Sequence, residues 1–180
     1  MLTRNKVVVS GLASGKALIF IHGFGCDQSM WRQVAPDLAE EFQIVTYDLT
    51  GMGQSDLSAY DPHRYANPRG HAEDLLAIIE ELGLDEVVLV GHSIGATIGL
   101  LAANQAPDKV SRLVLVSPNP CFVNAPAEGY RGGFSREELE ELIAFLDENH
   151  LGWAAQMAPT IAGQPAGACG GRAYPRVLPH

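Results

Sequence analysis

The sequence predicts an α/β fold, a mostly parallel sheet with helices on both of its faces. Three observations carry this. Continuous apolar runs at residues 17–21 (ALIFI) and 86–90 (EVVLV) are bounded by turn residues, as strands covered on both sides are. Segments with apolar residues at helical spacing alternate with those runs. Each run passes into its helix through a glycine-containing turn, first HGFG and then GHSIG, which suits right-handed crossovers.

The elements follow in order. Residues 6–10 read as a short β-branched strand, and the stretch 11–16 turns the chain back toward the strand at 17–21. After HGFG, Ser29 is placed to cap a helix through Met30, Trp31, Val34 and Leu38. Residues 43–47 form the next strand, which ends in Asp48 and the glycine-punctuated loop DLTGMGQSD. A polar stretch with two prolines, DLSAYDPHRYANPRG, reads as surface loop. Residues 71–82 carry Ala72, Leu75, Leu76, Ile79 and Leu82 along one face and are closed by Gly83. The strand at 86–90, the turn GHSIG and a helix at 96–103 come next, followed by a strand at 113–116.

The alternation stops after Pro118. Ser135, with Glu138 three residues on, marks a capping box. The helix that follows, REELEELIAFLDEN, places Leu139, Leu142, Ile143 and Leu146 on one stripe. A second helix is expected over 153–158. From Gly163 the sequence turns rich in Gly, Ala, Pro and Arg, has no acidic residue and reads as a disordered tail.

Composition narrows the function classes. With 180 residues, 47% hydrophobic and 18% charged, the chain can bury a core and does not read as disordered. A formal net charge of −9 disfavours nucleic acid and anionic membrane as partners. Cys26, Cys121 and Cys169 form neither a disulfide framework nor a metal-ligand cluster and suit a reducing compartment. The N-terminus lacks the apolar core of a signal peptide, and the apolar stretch 87–103 is interrupted by Gly91, His92, Ser93, Gly95 and Thr97. A cytoplasmic location is the expectation. No G-x-G-x-x-G opens a helix and no His/Cys spacing suits a metal, so neither cofactor nor metal is expected.

The chemistry is concentrated at Gly91-His92-Ser93-Ile94-Gly95, a G-x-S-x-G nucleophile elbow. Its serine sits on a sharp strand-to-helix turn too crowded for side chains two positions to either side, and the required strand and helix flank it. Serine at this position argues for acyl transfer, which needs N–H donors aimed at a developing oxyanion. One comes from the residue after the nucleophile, Ile94; the other comes from the HGFG loop, most directly Phe24. His22 is read as a packed, hydrogen-bonded support beneath that loop rather than a base, and His92 as pointing away from its neighbour. Asp48 is read as a ligand for the backbone of the glycine loop, and Cys26 as a small buried hydrophobe.

HGFGCDQSMW, YDLTGMGQSDL, the loop ending near Arg64 and Tyr65, GHSIG, and SPNPCFVNAP followed by GYRGGF together resemble the RsbQ-type α/β-hydrolases of bacterial stress signalling, related to the plant karrikin and strigolactone receptor hydrolases. The resemblance covers residues 17 to about 163. It implies an α/β-hydrolase core at 1–123, a partial helical cap at 124–162 and a non-family tail at 163–180. It implies a serine hydrolase for a small apolar ester or lactone. Ser93 matches the nucleophile, Phe24 and Ile94 the oxyanion donors, and Phe24, Phe134 and Leu142 the substrate pocket. The partner known for this type is a phosphatase with a sensory domain.

In this fold the triad runs in the order Ser, acid, His. Asp108 and His150 fall in a surface loop and the cap, and His180 ends the tail, so none matches a family position. The expectation is a chain truncated near Gly163, lacking its triad acid and histidine, inactive by itself, and left with an apolar edge at 113–116. A frameshift, a split gene and a partial gene model are equivalent accounts. Two other readings stay open: a non-catalytic module binding a small ligand or partner in stress signalling, and a fragment without function.

Overall fold

The structure, a computed structural model, describes residues 1–149 and 152. The chain divides into two compact units, Met1–Pro120 and Cys121–His180.

The first unit is built on five strands: β1 (Val8–Gly11), β2 (Lys16–Ile21), β3 (Phe42–Thr46), β4 (Val87–His92) and β5 (Val110–Val116), in the spatial order β1-β3-β2-β4-β5. β2 pairs in parallel with β3 and β4, and β4 with β5. β1 differs from the simple turn-back expected of it. It runs antiparallel to β3, Val8 opposite Thr46, so β3 lies between it and β2.

The two-residue alternation of side chains in a strand splits the core into two layers. Ile19, Ile21, Val45, Val87 and Leu89 pack under Leu75, Ile78 and Ile79 of α2 (Arg69–Glu81) and Ile98 and Ala102 of α3 (Ile94–Gln105). The intervening residues Leu18, Phe20, Ile44, Val88 and Val90 pack on the other face with Trp31 and Ala35. Helices on both faces follow from the central residues of β2 and β4, which are apolar at successive positions and so present apolar side chains to both sides.

The segment after HGFG departs from the single helix capped by Ser29. A 3₁₀ turn at Gln28–Trp31 is capped by Asp27, whose carboxylate accepts the Ser29 N–H at 2.7 Å, and a separate short helix, α1, spans Ala35–Leu38. Pro36 is the reason. It has no N–H to give to the carbonyl four residues earlier and its ring would clash there, so a helix begins at it and cannot run through it. α2 starts two residues earlier than its apolar stripe and ends as the sequence predicts. The Gly83 N–H donates to Glu80 O at 2.9 Å and the Leu84 N–H to Ile79 O at 3.0 Å, with Gly83 at φ 64°, a complete Schellman closure.

In the second unit, Val123 bridges Phe134 and Ala125 bridges Tyr130, and the Asn124 side chain accepts the N–H groups of Gly132 and Gly133 at 2.9 and 3.0 Å. α4 (Arg136–Glu148) carries the predicted capping box: the Glu138 N–H donates to Ser135 Oγ at 3.1 Å and the Ser135 N–H to Glu138 Oε2 at 2.7 Å. Leu142 is buried and Leu139 and Leu146 are half-buried, but Ile143 is 56% exposed. One residue beyond Leu142 it is turned about 100° around the axis, off the covered side. The helix expected at 153–158 and the tail at 163–180 lie outside the described residues.

Candidate active site

β4 carries its buried run to His92, and the chain turns into α3 through Ser93. Ser93 has φ 55° and ψ −121°, a conformation L-residues rarely adopt, and it is half-buried. The flanking glycines are there for want of room. A Cβ on Gly91 would lie 2.4 Å from Gly95 O, and one on Gly95 would lie 2.4 Å from Ile21 O and 2.6 Å from His22 O. The elbow is therefore pressed onto the end of β2. Across the sheet, the Ser93 N–H donates to Val116 O at 2.9 Å, which ties the turn to β5. Ser93 Oγ has no hydrogen bond among the described residues.

The loop that leaves β2 lies against this turn. A Cβ on Gly23 would fall 2.7 Å from His92 Nδ1 and 3.4 Å from Ser93 Cβ. The loop closes on itself through the Cys26 N–H to Gly23 O at 3.2 Å, and Phe24 at its tip is 57% exposed. Neither the Phe24 nor the Ile94 N–H is bonded to a protein group among the described residues, and both belong to segments adjoining Ser93.

His22 is fully buried below the loop. Its Nε2 accepts the Leu49 N–H at 2.9 Å, and its Nδ1 lies 2.9 Å from Gly23 O. An amide N–H only donates, so Nε2 presents its lone pair and the proton sits on Nδ1, donated to Gly23 O. Burial holds its pKa below the ordinary histidine value. With both ring nitrogens engaged, His22 supports the loop, as the sequence suggests.

Asp48 serves two loops at once. Its Oδ2 accepts the Gln54 N–H at 2.8 Å, the glycine-loop bond expected of it, and its Oδ1 accepts the Gln28 N–H at 2.8 Å just past the HGFG loop. Cys26 is half-buried, and burial pushes its thiol pKa up, so it offers little thiolate.

Next to this support is a cluster that the sequence reading missed. The buried Asp74 carboxylate accepts from Thr50 Oγ1 at 2.8 Å, Tyr65 OH at 2.8 Å, Arg64 Nη2 at 2.9 Å and Arg4 Nη2 at 2.7 Å. Asn5 joins it to Asp48, donating through Nδ2 to Asp48 O at 2.9 Å and to Thr50 Oγ1 at 3.0 Å. Burial by itself would raise the Asp74 pKa; the two hydroxyls and the Arg4 guanidinium outweigh it and hold the carboxyl below its ordinary value. The available signal was an acid at position 74, four residues before Ile78 on the covered arc of an amphipathic helix.

Of the other candidates, Asp108 sits in the 3₁₀ turn Pro107–Lys109, and His150 and His180 lie outside the described residues. Phe134 and Leu142 belong to the second unit, where Phe134 meets Phe122 edge to face at 6.5 Å. Among the described residues no helix is long and apolar enough to cross a membrane.

Residues 16–164 match the family model described as the alpha/beta hydrolase fold. The chain is 38% identical over 161 residues to the karrikin insensitive 2 receptor IA of Petunia hybrida, a match covering 89% of this chain and 58% of that protein. It is 34% identical over 153 residues to a strigolactone esterase of Arabidopsis thaliana, covering 84% of this chain and 57% of that one. Among solved structures, a hydrolase from Oleispira antarctica superposes with a TM-score of 0.80 at 40% identity, over 88% of this chain and 57% of its own. The chain thus spans a little over half the length of the relatives it matches.

Proposed function

Because the chain belongs to the α/β-hydrolase fold family, we propose that it is the nucleophile-bearing part of an esterase-like serine hydrolase acting on a small apolar ester or lactone, of the RsbQ type. The observation that carries this is Ser93, a serine at φ 55° between a buried strand and a helix, with the HGFG loop packed against it. Ser93 attacks the acyl carbon. The free N–H groups of Phe24 and Ile94 receive the charge that builds on the carbonyl oxygen, where preformed donors lower the barrier without reorganising. Phe24, exposed at the tip of the HGFG loop, meets the apolar body of the substrate.

The acid and histidine that activate such a serine follow it in chain order. We assign neither Asp108, His150 nor His180 to those roles. An unassisted serine hydroxyl is a weak nucleophile near neutral pH, and a serine site stripped of its partners keeps roughly 10³–10⁴ over water. The reading also includes a cytoplasmic location and a sensory-domain phosphatase as partner.

Two observations favour a second reading, a binding module: Ser93 Oγ has no hydrogen-bonded base among the described residues, and the Petunia relative is named a receptor. Hydrolysis of p-nitrophenyl butyrate beside the Ser93→Ala variant separates the two. Turnover that vanishes in the variant supports the hydrolase. Background rates in both, with retained binding of a small apolar ligand, support the module.

A further inference from the structure

A line of hydrogen bonds in the first unit runs in a single direction from Arg4 to the HGFG loop. Arg4 Nε donates to Asn5 Oδ1 at 3.1 Å, and the other end of that amide, Nδ2, donates to Asp48 O at 2.9 Å. A carbonyl oxygen only accepts, so the Asn5 amide can face Asp48 only through its nitrogen. Asp48 O shares its peptide group with the Leu49 N–H, which donates to His22 Nε2 at 2.9 Å. His22 carries the direction on through Nδ1, which donates to Gly23 O at 2.9 Å. Gly23 O in turn shares its peptide group with the Phe24 N–H, which has no protein acceptor among the described residues.

A trans peptide holds its C=O and its N–H on opposite edges. A donor fixed on the carbonyl therefore fixes the plane, and with it the direction in which the N–H points. The same donor draws electron density to the oxygen and leaves the N–H more positive. Successive bonds of this kind reinforce one another in a low-dielectric interior, and Asn5, His22, Asp48 and Leu49 are all buried. Gly23 O takes a second donor, the Cys26 N–H at 3.2 Å. The line begins at a cation, the Arg4 guanidinium, whose Nη2 lies 2.7 Å from Asp74 Oδ2. Asp74 offsets that charge, so what reaches the loop is direction and polarisation.

We propose that Asn5 is a positioning residue for the reaction: acting through the Asp48–Leu49 peptide and His22, it orients and strengthens the Phe24 N–H that meets the oxyanion. The proposal rests on the reading of Phe24 as an oxyanion donor. Among the described residues Asn5 has no hydrogen bond to Ser93 or to the HGFG loop, so its effect travels along this line. It grips residue 48 from both sides, since its own carbonyl accepts the Asp48 N–H at 2.8 Å. Its second side-chain bond, Nδ2 to Thr50 Oγ1 at 3.0 Å, is a branch that ends at Asp74.

The test is solution NMR on the isotopically labelled 180-residue chain. In wild type, His22 is expected as the Nδ1–H tautomer, with a through-hydrogen-bond coupling between the Leu49 amide nitrogen and Nε2. An Nε2–H tautomer, or no such coupling, overturns the proposal, and neither measurement requires a variant to fold. Asn5→Ala should then move the His22 ring nitrogens and shift the Phe24 amide proton upfield, because the last N–H is less polarised. Thr50→Val removes only the branch toward Asp74 and should leave the Phe24 amide at its wild-type position. Phe24 unmoved by Asn5→Ala, or moved alike by both variants, is what a merely structural asparagine would give, and either result overturns the proposal. Hydrolysis of p-nitrophenyl butyrate is read separately. A fall in kcat with KM unchanged in Asn5→Ala, smaller than the roughly 10²–10³-fold cost of losing an oxyanion donor outright, supports the positioning role and the reading of Phe24 together. The expected spectra with kcat unchanged would count against Phe24 as the oxyanion donor, and the positioning role would fall with it while the line of bonds stood.

Discussion

The Leu49 N–H donates to His22 Nε2 at 2.9 Å, and this contact decides the state of the imidazole. A protonated ring would face the amide donor with a second donor, so the contact requires neutral His22 with its proton on Nδ1. The loop beneath which the ring sits therefore keeps its pose only while His22 stays uncharged.

Stability should fall as the pH drops below about 6.5. Burial lowers the pKa of both His22 and His71 in the folded chain, so below the ordinary histidine value the unfolded chain binds more protons. Each histidine then removes up to about 1.4 kcal/mol per pH unit, until its folded pKa is passed. Thermal melts between pH 7.5 and 5.5 check this. His71→Phe, which keeps a ring against Tyr65, should flatten the dependence by one histidine's share. A melting temperature constant across that range would contradict it.

Asp74→Asn should cost about 3 kcal/mol, because a buried carboxylate with four donors loses its charge and part of its acceptor capacity. Its folded pKa lies below the ordinary aspartate value, so its contribution is complete above about pH 4 and is lost as the pH falls through the folded pKa. Urea unfolding at pH 7 and pH 3 measures both parts. The penalty should be large at the first and reduced at the second.

Local rules account for what could be read from the sequence. The buried strands, the closure at Gly83 and the capping box at Ser135 depend on residues within about six positions of one another. The elbow was legible for the same reason, since the crowding that demands Gly91 and Gly95 lies in the turn itself and in the strand it lands on. Long-range partners were not legible. Asp74 is satisfied by Arg4 and Thr50, and nothing near position 74 names them. β1 carries no local sign that β3, more than thirty residues on, is its neighbour. Asp27 displaced Ser29 as a cap because Pro36 moved the helix, a competition that apolar spacing does not register.

Ser93→Gly should stabilise the chain relative to Ser93→Ala. Both remove the nucleophile, but only glycine is at ease at φ 55° and ψ −121°. Left-handed strain costs of order 1–3 kcal/mol, and the flexibility that glycine adds to the unfolded chain offsets up to about 1 kcal/mol. A net gain of about 1 kcal/mol over Ser93→Ala is expected in chemical denaturation. Equal stabilities would mean that the serine is not strained.

The isolated chain should self-associate through β5 as concentration rises. Among the described residues the outward N–H and C=O groups of Leu113 and Leu115 are unpaired, and Val114, Leu115 and Val116 beside them are exposed. The opposite edge is a weaker template. β1 is only four residues long, and it contains Ser10 and Gly11 where β5 continues with leucine and valine. Leu115→Lys places a charge on the open edge without filling or emptying the core, so its effect on stability should stay within about 0.5 kcal/mol. Light scattering coupled to size exclusion should show wild type shifting to larger species with concentration while Leu115→Lys stays monomeric. If both variants shift alike, association runs through another surface, and the exposed Ile143 face of α4 becomes the next candidate.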